Sequence, residues 1–101
     1  MDVRELETKA SDASALLTAM AHRKRLMVLC HLLAEELSVN VLAERLELPQ
    51  PTLSQHLAKL RDLKLVSTRR DGNVVYYRLA SAEVEVVLQA LYSAYCAPAQ
   101  L

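Results

Sequence analysis

The stretch from Pro49 to Leu65 carries the side chains best suited to binding an external polymer. Its sequence is PQPTLSQHLAKLRDLKL, in which three leucines recur at helical spacing and form one apolar stripe. Amides, hydroxyls and an ammonium group occupy other positions, and each donates hydrogen bonds. These donors are Gln50, Thr52, Ser54, Gln55 and Lys59. Glutamine bonds to adenine edges, serine and threonine to bases or phosphates, and lysine neutralises phosphate. An ordinary amphipathic surface helix would show the same composition.

Cys30 and Cys96 are the two thiols of the chain. In a reducing cytosol they are expected to be free thiols, redox sensors or catalysts, because permanent disulfides are rare there. Two thiols do not complete a tetrahedral zinc site. The three histidines, His22, His31 and His56, lie on different segments without i, i+4 pairing. We therefore predict no metal and no cofactor. On the residues alone, Cys30 among leucines is expected to be an inert core residue.

Composition favours a small helical domain in the cytosol. The chain has 101 residues, with one glycine and neither tryptophan nor phenylalanine, which predicts one domain over residues 1–101. No apolar run reaches the roughly 18 residues of a membrane span. The charged start MDVRELETKASDA also lacks the apolar region of a secretory signal. Formal charge is zero, yet six cations lie between residues 59 and 78 against two acids. Such a basic stripe suits duplex DNA.

Helical patterns precede the stretch from Pro49 to Leu65. A helix is predicted from Ser11 to Met20, and an almost wholly apolar central helix from Leu26 to Glu36. The inward residues of the first are Leu16, Leu17 and Met20. The positive cluster His22–Arg25 falls at the junction between the two helices. Ser38 is the expected N-cap of the short helix VNVLAERL. Glu47–Pro49 then turns into the donor-bearing helix, so the pair forms a helix-turn-helix.

A β-hairpin is predicted after the helix-turn-helix. Two strand-like runs, Leu65–Arg69 and Val74–Leu79, flank Asp71-Gly72, a strong hairpin signal. The single glycine thus stands where a positive φ is needed. Arg69 and Arg70 lie beside the tip, within reach of a phosphate or of the adjacent minor groove. A hairpin in this position is a wing.

The last predicted helix starts near Ser81, an expected N-cap, and ends before Pro98. Apolar residues recur along it at steps of three and four: Val84, Val87, Leu88, Leu91, Tyr92 and Tyr95. This stripe is wide for the terminal helix of a small domain. We predict that it forms a homodimer interface with the first helix; the alternative is packing on the domain's own core. The fold class is therefore mainly α with a small β-hairpin wing, a winged helix-turn-helix of five helices.

The ordered series resembles the ArsR/SmtB-type family of bacterial repressors. The resemblance runs from Leu16 through Cys96 and is carried by LLTAMAHRKRLMVLCHLL and ELSVNVLAERLELPQPTLSQHLAKLRDLKLVSTRRDGNVVYYRLA. It implies a homodimeric repressor that leaves its operator DNA when an inducer binds. The DNA contacts we predict are Gln50, Thr52, Ser54, Gln55, His56, Lys59, Arg69 and Arg70. Departures from the family pattern concern local turns: Arg23 replaces proline, Glu47 and Lys64 replace glycines, and Pro49 replaces serine.

The resemblance also implies a thiol-reactive inducer in place of a metal. The motif ELCVCDL of metal- and arsenic-sensing members reads ELSVNVL here, with Ser38 and Asn40 at the thiol positions. Ala82–Cys96 contains no histidine or aspartate, which other members use for zinc. Cys30 in the second helix and Cys96 at the end of the last resemble the branch that senses reactive sulfur. In that branch a disulfide or polysulfide bridge joins the two thiols and operator affinity falls.

Two other functions stay open on the sequence, and a third is not expected. A sister branch resembling haemolysin activators shares both cysteines and responds to oxidants more generally. An architectural DNA-binding protein would need no inducer, and both cysteines would then be incidental. A thiol-based sulfur-carrier enzyme is not expected, because there is no CxxC motif, phosphate loop, paired-carboxylate site or Ser/His constellation.

Overall fold

The described part of the chain contains five helices and three short strands. The computed structural model describes residues 1–96. Its elements are α1 (Val3–Met20), α2 (Arg23–Ala34), β1 (Leu37–Ser38), α3 (Val39–Leu46), α4 (Gln50–Asp62), β2 (Val66–Asp71), β3 (Val74–Leu79) and α5 (Ala82–Tyr95). This order confirms the predicted winged helix-turn-helix, with α3 and α4 followed by the β2–β3 wing. The predicted stop at Pro98 lies outside the described residues.

Three of the helix starts are fixed by oxygen-bearing side chains. Ser38 and Ser81 cap α3 and α5 as predicted, each accepting the backbone N–H three residues on. Asp2 caps α1 by accepting the Arg4 N–H at 2.9 Å. Because this cap lies well before Ser11, the charged N-terminal tract is the first half of α1 and does not form a separate segment.

The positive cluster after α1 forms the first turn of α2, which starts and ends earlier than predicted. His22 Nδ1 accepts the Lys24 N–H at 3.2 Å and caps the helix. Lys24 Nζ donates to the Leu46 carbonyl at 3.1 Å, and Arg25 Nε donates to the Ala19 carbonyl at 2.7 Å. Both carbonyls lie at C-terminal ends of helices, where a cation is favourable. These two cations therefore join α2 to the ends of α1 and α3.

The predicted stripe of α4 is buried. Leu53, Leu57 and Leu60 are each no more than 1% exposed, and they join core residues from the other four helices. Burial of a leucine side chain stabilises the fold by about 1.5–3 kcal/mol. This stripe consequently fixes which face of α4 remains for solvent or a partner.

The two terminal helices are buried less completely than predicted. In α1 Met20 is buried, but Leu17 is 53% exposed, so its inward assignment was wrong for the protomer. In α5 Val84 and Leu88 are buried, whereas Tyr92 and Tyr95 are exposed. The other residues of the two predicted apolar stripes are half-buried: Leu16, Val87 and Leu91. Each helix thus has one face in the core and a second apolar face outside it.

The wing is part of a three-stranded antiparallel sheet in the order β1-β3-β2. Strand β1 was not predicted, because two residues give no alternation of apolar and polar positions. It pairs with β3 through Leu37–Tyr77 and Ser38–Tyr76. Strand β2 starts at Val66 and continues through Asp71, so the turn residues are Gly72 and Asn73, one position later than expected. Gly72 has a φ of +63°, as predicted.

Glu47 and Lys64 take the left-handed conformation that normally favours glycine. Their φ angles are +53° and +61°. The Leu48 N–H donates to the Ala43 carbonyl at 3.0 Å, and the Leu65 N–H donates to the Leu60 carbonyl at 2.9 Å. Both are the six-to-one hydrogen bonds of a Schellman helix end. The substitutions for glycine therefore keep the turn geometry, at a cost in backbone strain.

Lys64→Gly is expected to raise the free energy of unfolding by about 1 kcal/mol, because glycine adopts a positive φ without strain. Urea unfolding followed by circular dichroism measures the change. Ala58→Gly is the matched control: Ala58 is exposed inside α4, so glycine should destabilise the protein there by about 1 kcal/mol. Destabilisation by both glycines would contradict the strain assigned to Lys64.

Candidate nucleic-acid interface and thiol pair

Five polar side chains lie on the solvent side of α4, away from its buried leucines. They are Gln50, Thr52, Ser54, Gln55 and Lys59, and all are exposed. The Leu53 N–H donates to the Pro49 carbonyl at 3.0 Å, which closes the first turn beneath them. A major groove about 12 Å wide admits an α-helix. The outer face of α4 can therefore present amide, hydroxyl and ammonium donors to base edges and phosphates.

Gln50 is also bound within the protein. Its Nε2 donates to Oδ1 of Asn40, a residue of α3 that the sequence prediction did not include. Both side chains are exposed, so the hydrogen bond spans the helix-turn-helix at its surface. The only sequence signal was an amide side chain near the start of each helix.

His56 differs from the other predicted contacts on α4. It is half-buried, and its ring centroid lies 4.6 Å from that of His22, the capping residue of α2. Burial lowers the pKa of His56, and the proximity of His22 and Arg25 lowers it further. His56 therefore packs between α4 and α2 as a neutral imidazole, in contrast to the freely exposed donors on the same helix.

The lowered pKa of His56 predicts a loss of stability in acid. Between its folded pKa and the ordinary value of about 6.5, the unfolded state binds more protons than the folded state, so the free energy of unfolding falls as pH falls. His56→Gln should remove this part of the pH dependence. Urea unfolding of both proteins at pH 7.5 and 5.5 measures it, and an identical loss in the two would contradict the assignment.

The two wing arginines have different surroundings. Arg69 donates through Nε to Glu36 Oε1 at 2.8 Å, and its second guanidinium nitrogen lies 2.7 Å from the same oxygen. Its Cζ also lies 4.4 Å from the centre of the Tyr76 ring. Arg69 lowers the pKa of Glu36, chiefly through the hydrogen bond that it donates to this carboxylate. Arg70 points to the opposite face of β2, is exposed, and forms no salt bridge within residues 1–96.

The two cysteines of the chain lie on α2 and directly after α5. Both are free thiols; Cys30 is half-buried on α2, and Cys96 is exposed at the end of α5. Burial raises the pKa of Cys30, and the charge of Cys96 raises it further. The helices that carry them are packed against each other. The two cysteines therefore belong to elements that are in contact within the protomer.

Neither a metal cluster nor a membrane span occurs in the described residues. No three side chains among histidine, cysteine, aspartate and glutamate in residues 1–96 are grouped as metal ligands. In the same part of the chain, no helix is both long enough and apolar enough to cross a membrane.

The chain is similar to bacterial transcriptional regulators along nearly its whole length. The family described as "Bacterial regulatory protein, arsR family" matches residues 22–68. The transcriptional activator HlyU of Vibrio cholerae is 48% identical over 96 residues, which are 95% of this chain and 89% of that protein. The chain belongs to the ArsR family. Another relative, the biofilm growth-associated repressor of Agrobacterium fabrum, is 42% identical over 92% of this chain and 80% of its own length.

Solved structures of ArsR-family members agree with the fold. The repressor BigR from Xylella fastidiosa matches with a TM-score of 0.91 and 38% identity, covering 97% of this chain and 100% of BigR. Reduced HlyU from Vibrio cholerae matches with a TM-score of 0.86 and 48% identity, over 93% of this chain and 99% of that one. ArsR-family regulators bind operator DNA and are typically dimeric. This chain is accordingly a DNA-binding transcriptional regulator and not an enzyme.

Proposed function

We propose that this ArsR-family protein is a homodimeric repressor that leaves its operator when Cys30 and Cys96 become linked. The packing of α2, which carries Cys30, against α5, which ends at Cys96, carries the proposal. Similarity to a repressor, BigR, and to a protein solved as reduced HlyU supports it. A regulator of this kind acts in the cytoplasm, where operator DNA lies.

In this proposal α4 enters the major groove and the wing contacts the backbone beside it. The exposed amides of Gln50 and Gln55 read base edges, while Thr52, Ser54 and Lys59 contact bases or phosphates. Arg70 binds phosphate directly. Arg69, held by Glu36, and His56, held by His22, contribute mainly by positioning the wing and α4.

The proposed dimer uses the outer apolar faces of α1 and α5. Leu6 and Leu17 on α1 are 51% and 53% exposed, and Val86, Tyr92 and Tyr95 on α5 are 62–83% exposed. Apolar surface left outside the core of a small domain gains stability when a second copy covers it. We infer that the chain forms one domain, because the five helices within residues 1–96 share one core.

The linkage starts at Cys96, because its thiol is exposed and that of Cys30 is half-buried. The Cys96 thiolate attacks the outer sulfur of a small persulfide RSSH; the S–S bond breaks, RSH leaves, and Cys96 carries the persulfide. The Cys30 thiolate then attacks the Cys96 sulfur, forming the disulfide and releasing H₂S. If both thiols are persulfidated, their condensation gives a trisulfide and H₂S. A peroxide instead forms a sulfenic acid and water, and Cys30 then displaces a second water.

A bridge between these thiols would tie α5 to α2. Because α5 lies in the proposed dimer interface, its movement changes the separation of the two α4 helices. Half-sites on B-DNA are about 34–36 Å apart. In a dimer with altered spacing, one α4 can enter its half-site only if the other α4 is misplaced at the second half-site. The reduced form is the one that fits both half-sites.

Operator binding before and after persulfide treatment tests the proposal. A duplex selected by the reduced protein from a randomised library serves as the probe, and fluorescence anisotropy gives its dissociation constant. We expect persulfide to weaken binding about 5- to 150-fold, the usual range of allosteric coupling, and dithiothreitol to restore it. Unchanged affinity would favour an architectural role. A response to peroxide but not to persulfide would favour the general oxidant regulator.

The wing arginines are expected to differ in their salt dependence. Removal of one cation that neutralises a phosphate lowers the slope of log K against log salt by about 0.9, so Arg70→Ala should lower it by about twice that in a dimer. Arg69→Ala is the matched control, and its slope should change little because Glu36 already neutralises Arg69. Equal changes would mean that Arg69 leaves Glu36 to bind phosphate.

A further inference from the structure

The start of α4 lacks the side-chain cap that the other helices have. Pro49 occupies the N-cap position and makes no capping hydrogen bond, and Pro51 in the first turn has no N–H. Gln50, the first helical residue, lies between these two prolines. Its long side chain is exposed, and its amide bonds across to another helix instead of to its own helix end.

Asn40, the partner of Gln50, lies on a helix whose start is fixed by a side-chain cap. It is the second residue of α3, whose start is fixed by the Ser38 hydroxyl accepting the Val41 N–H at 3.2 Å. Ser38 in turn pairs with Tyr76 in the sheet. Asn40 Oδ1 accepts one N–H of the Gln50 amide. The orientation of the Gln50 amide is thus set by α3 and β3 and not by α4 alone.

We propose that Asn40 is a positioning residue for sequence recognition, which holds Gln50 ready to read one base pair. The inference rests on the proposed function, in which α4 reads DNA. An amide has two N–H groups and one carbonyl, so the Asn40 contact leaves Gln50 one N–H and one carbonyl oxygen. That pair is the one a glutamine offers to N7 and N6 of adenine. Because the amide is oriented before DNA arrives, less side-chain freedom is lost on binding.

A purely structural role for Asn40 makes a different prediction. If the hydrogen bond only steadied the turn between α3 and α4, its loss would weaken binding to all duplexes alike. If it positions Gln50, its loss removes discrimination at the base pair that Gln50 reads, and other base pairs keep theirs. Base discrimination therefore separates the two roles.

The experiment uses the full-length reduced protein and the duplex that it selects from a randomised library, together with single-base-pair variants of that duplex. Gln50→Ala identifies the base pair that Gln50 reads. Asn40→Ala should lose most of the discrimination at that same base pair, where a bidentate amide supplies about 5- to 150-fold. The double variant should lose no more than the Gln50 variant alone. The salt slope of Asn40→Ala should stay that of the wild type.

Asn40→Asp is the matched control, because it keeps an oxygen acceptor for the Gln50 N–H. It should retain discrimination even though its added charge weakens binding to every duplex. Asn40→Ala is expected to fold, since the position is exposed on a helix and alanine has the higher helix propensity; thermal unfolding checks this. Three outcomes would overturn this inference but not the proposed function. They are retained base discrimination in Asn40→Ala, a double variant whose loss of discrimination is the sum of the two single losses, and no loss of discrimination in Gln50→Ala. Selection of no sequence by the wild type would overturn the proposed function.

Discussion

Serine in place of Cys30 or of Cys96 is expected to abolish the response to persulfide while leaving reduced operator binding intact. Each variant keeps one thiol, which can be persulfidated but cannot form the intramolecular bridge. The wild-type loss of about 5- to 150-fold in affinity should therefore shrink to none. Anisotropy titrations of both variants, with and without persulfide, measure this on the selected duplex.

Two controls separate the bridge from other effects of the substitution. Cys30 is half-buried, so a serine there places a hydroxyl in a partly apolar site. Cys30→Ala shows whether any change in reduced operator binding comes from this hydroxyl or from loss of the thiol. Non-reducing electrophoresis detects dimers cross-linked through Cys96 in the Cys30 variants. A full response in either single variant would mean that modification of one thiol is enough, and the bridge would be unnecessary.

Leu57→Ala is expected to cost about 2–5 kcal/mol in the free energy of unfolding, the usual loss for a buried leucine. Leu57 is 1% exposed beneath the donor face of α4, and a buried core relaxes only partly into the cavity that such a truncation leaves. The total free energy of unfolding of a small domain is about 5–15 kcal/mol, so this variant should unfold at a markedly lower urea concentration than the wild type. DNA binding should fall with the folded fraction.

Leu63→Ala is the control for that loss. Leu63 follows α4 directly but is 39% exposed, so truncation there removes less buried area than at Leu57 and should cost less free energy of unfolding. Urea unfolding of both variants at one protein concentration gives the comparison. Equal costs would contradict the assignment of the α4 stripe to the core.

The helix-turn-helix and the wing could be predicted because their signals are local. The leucine spacing of α4, the serine caps of α3 and α5, and the Asp-Gly turn each lie within a few residues of sequence. Strand β1 was missed because two residues give no period, and it is recognisable only through its pairing with Tyr76 and Tyr77. The wing turn was displaced by one residue because Asp71 continues the ladder opposite Val74.

The parts of the site that sequence could not predict depend on contacts between distant residues. Glu36 and Arg69 meet through the sheet, and His22 and His56 meet where α2 and α4 pack. These contacts separate residues that looked alike in sequence: Arg69 from Arg70, and His56 from its neighbours on α4. Glu47 shows the converse, since the chain keeps a left-handed turn there without glycine.

The most direct test of the account is the intact mass of the protein measured in the same samples used for operator binding. After persulfide treatment and trapping of free thiols, we predict one product that has lost two hydrogens, with or without added sulfur atoms, and that carries no alkylated cysteine. Its fraction should rise in step with the loss of operator affinity, and peptide mapping should join Cys30 to Cys96. Loss of affinity while both cysteines remain alkylatable, or complete bridging with unchanged affinity, would contradict the account.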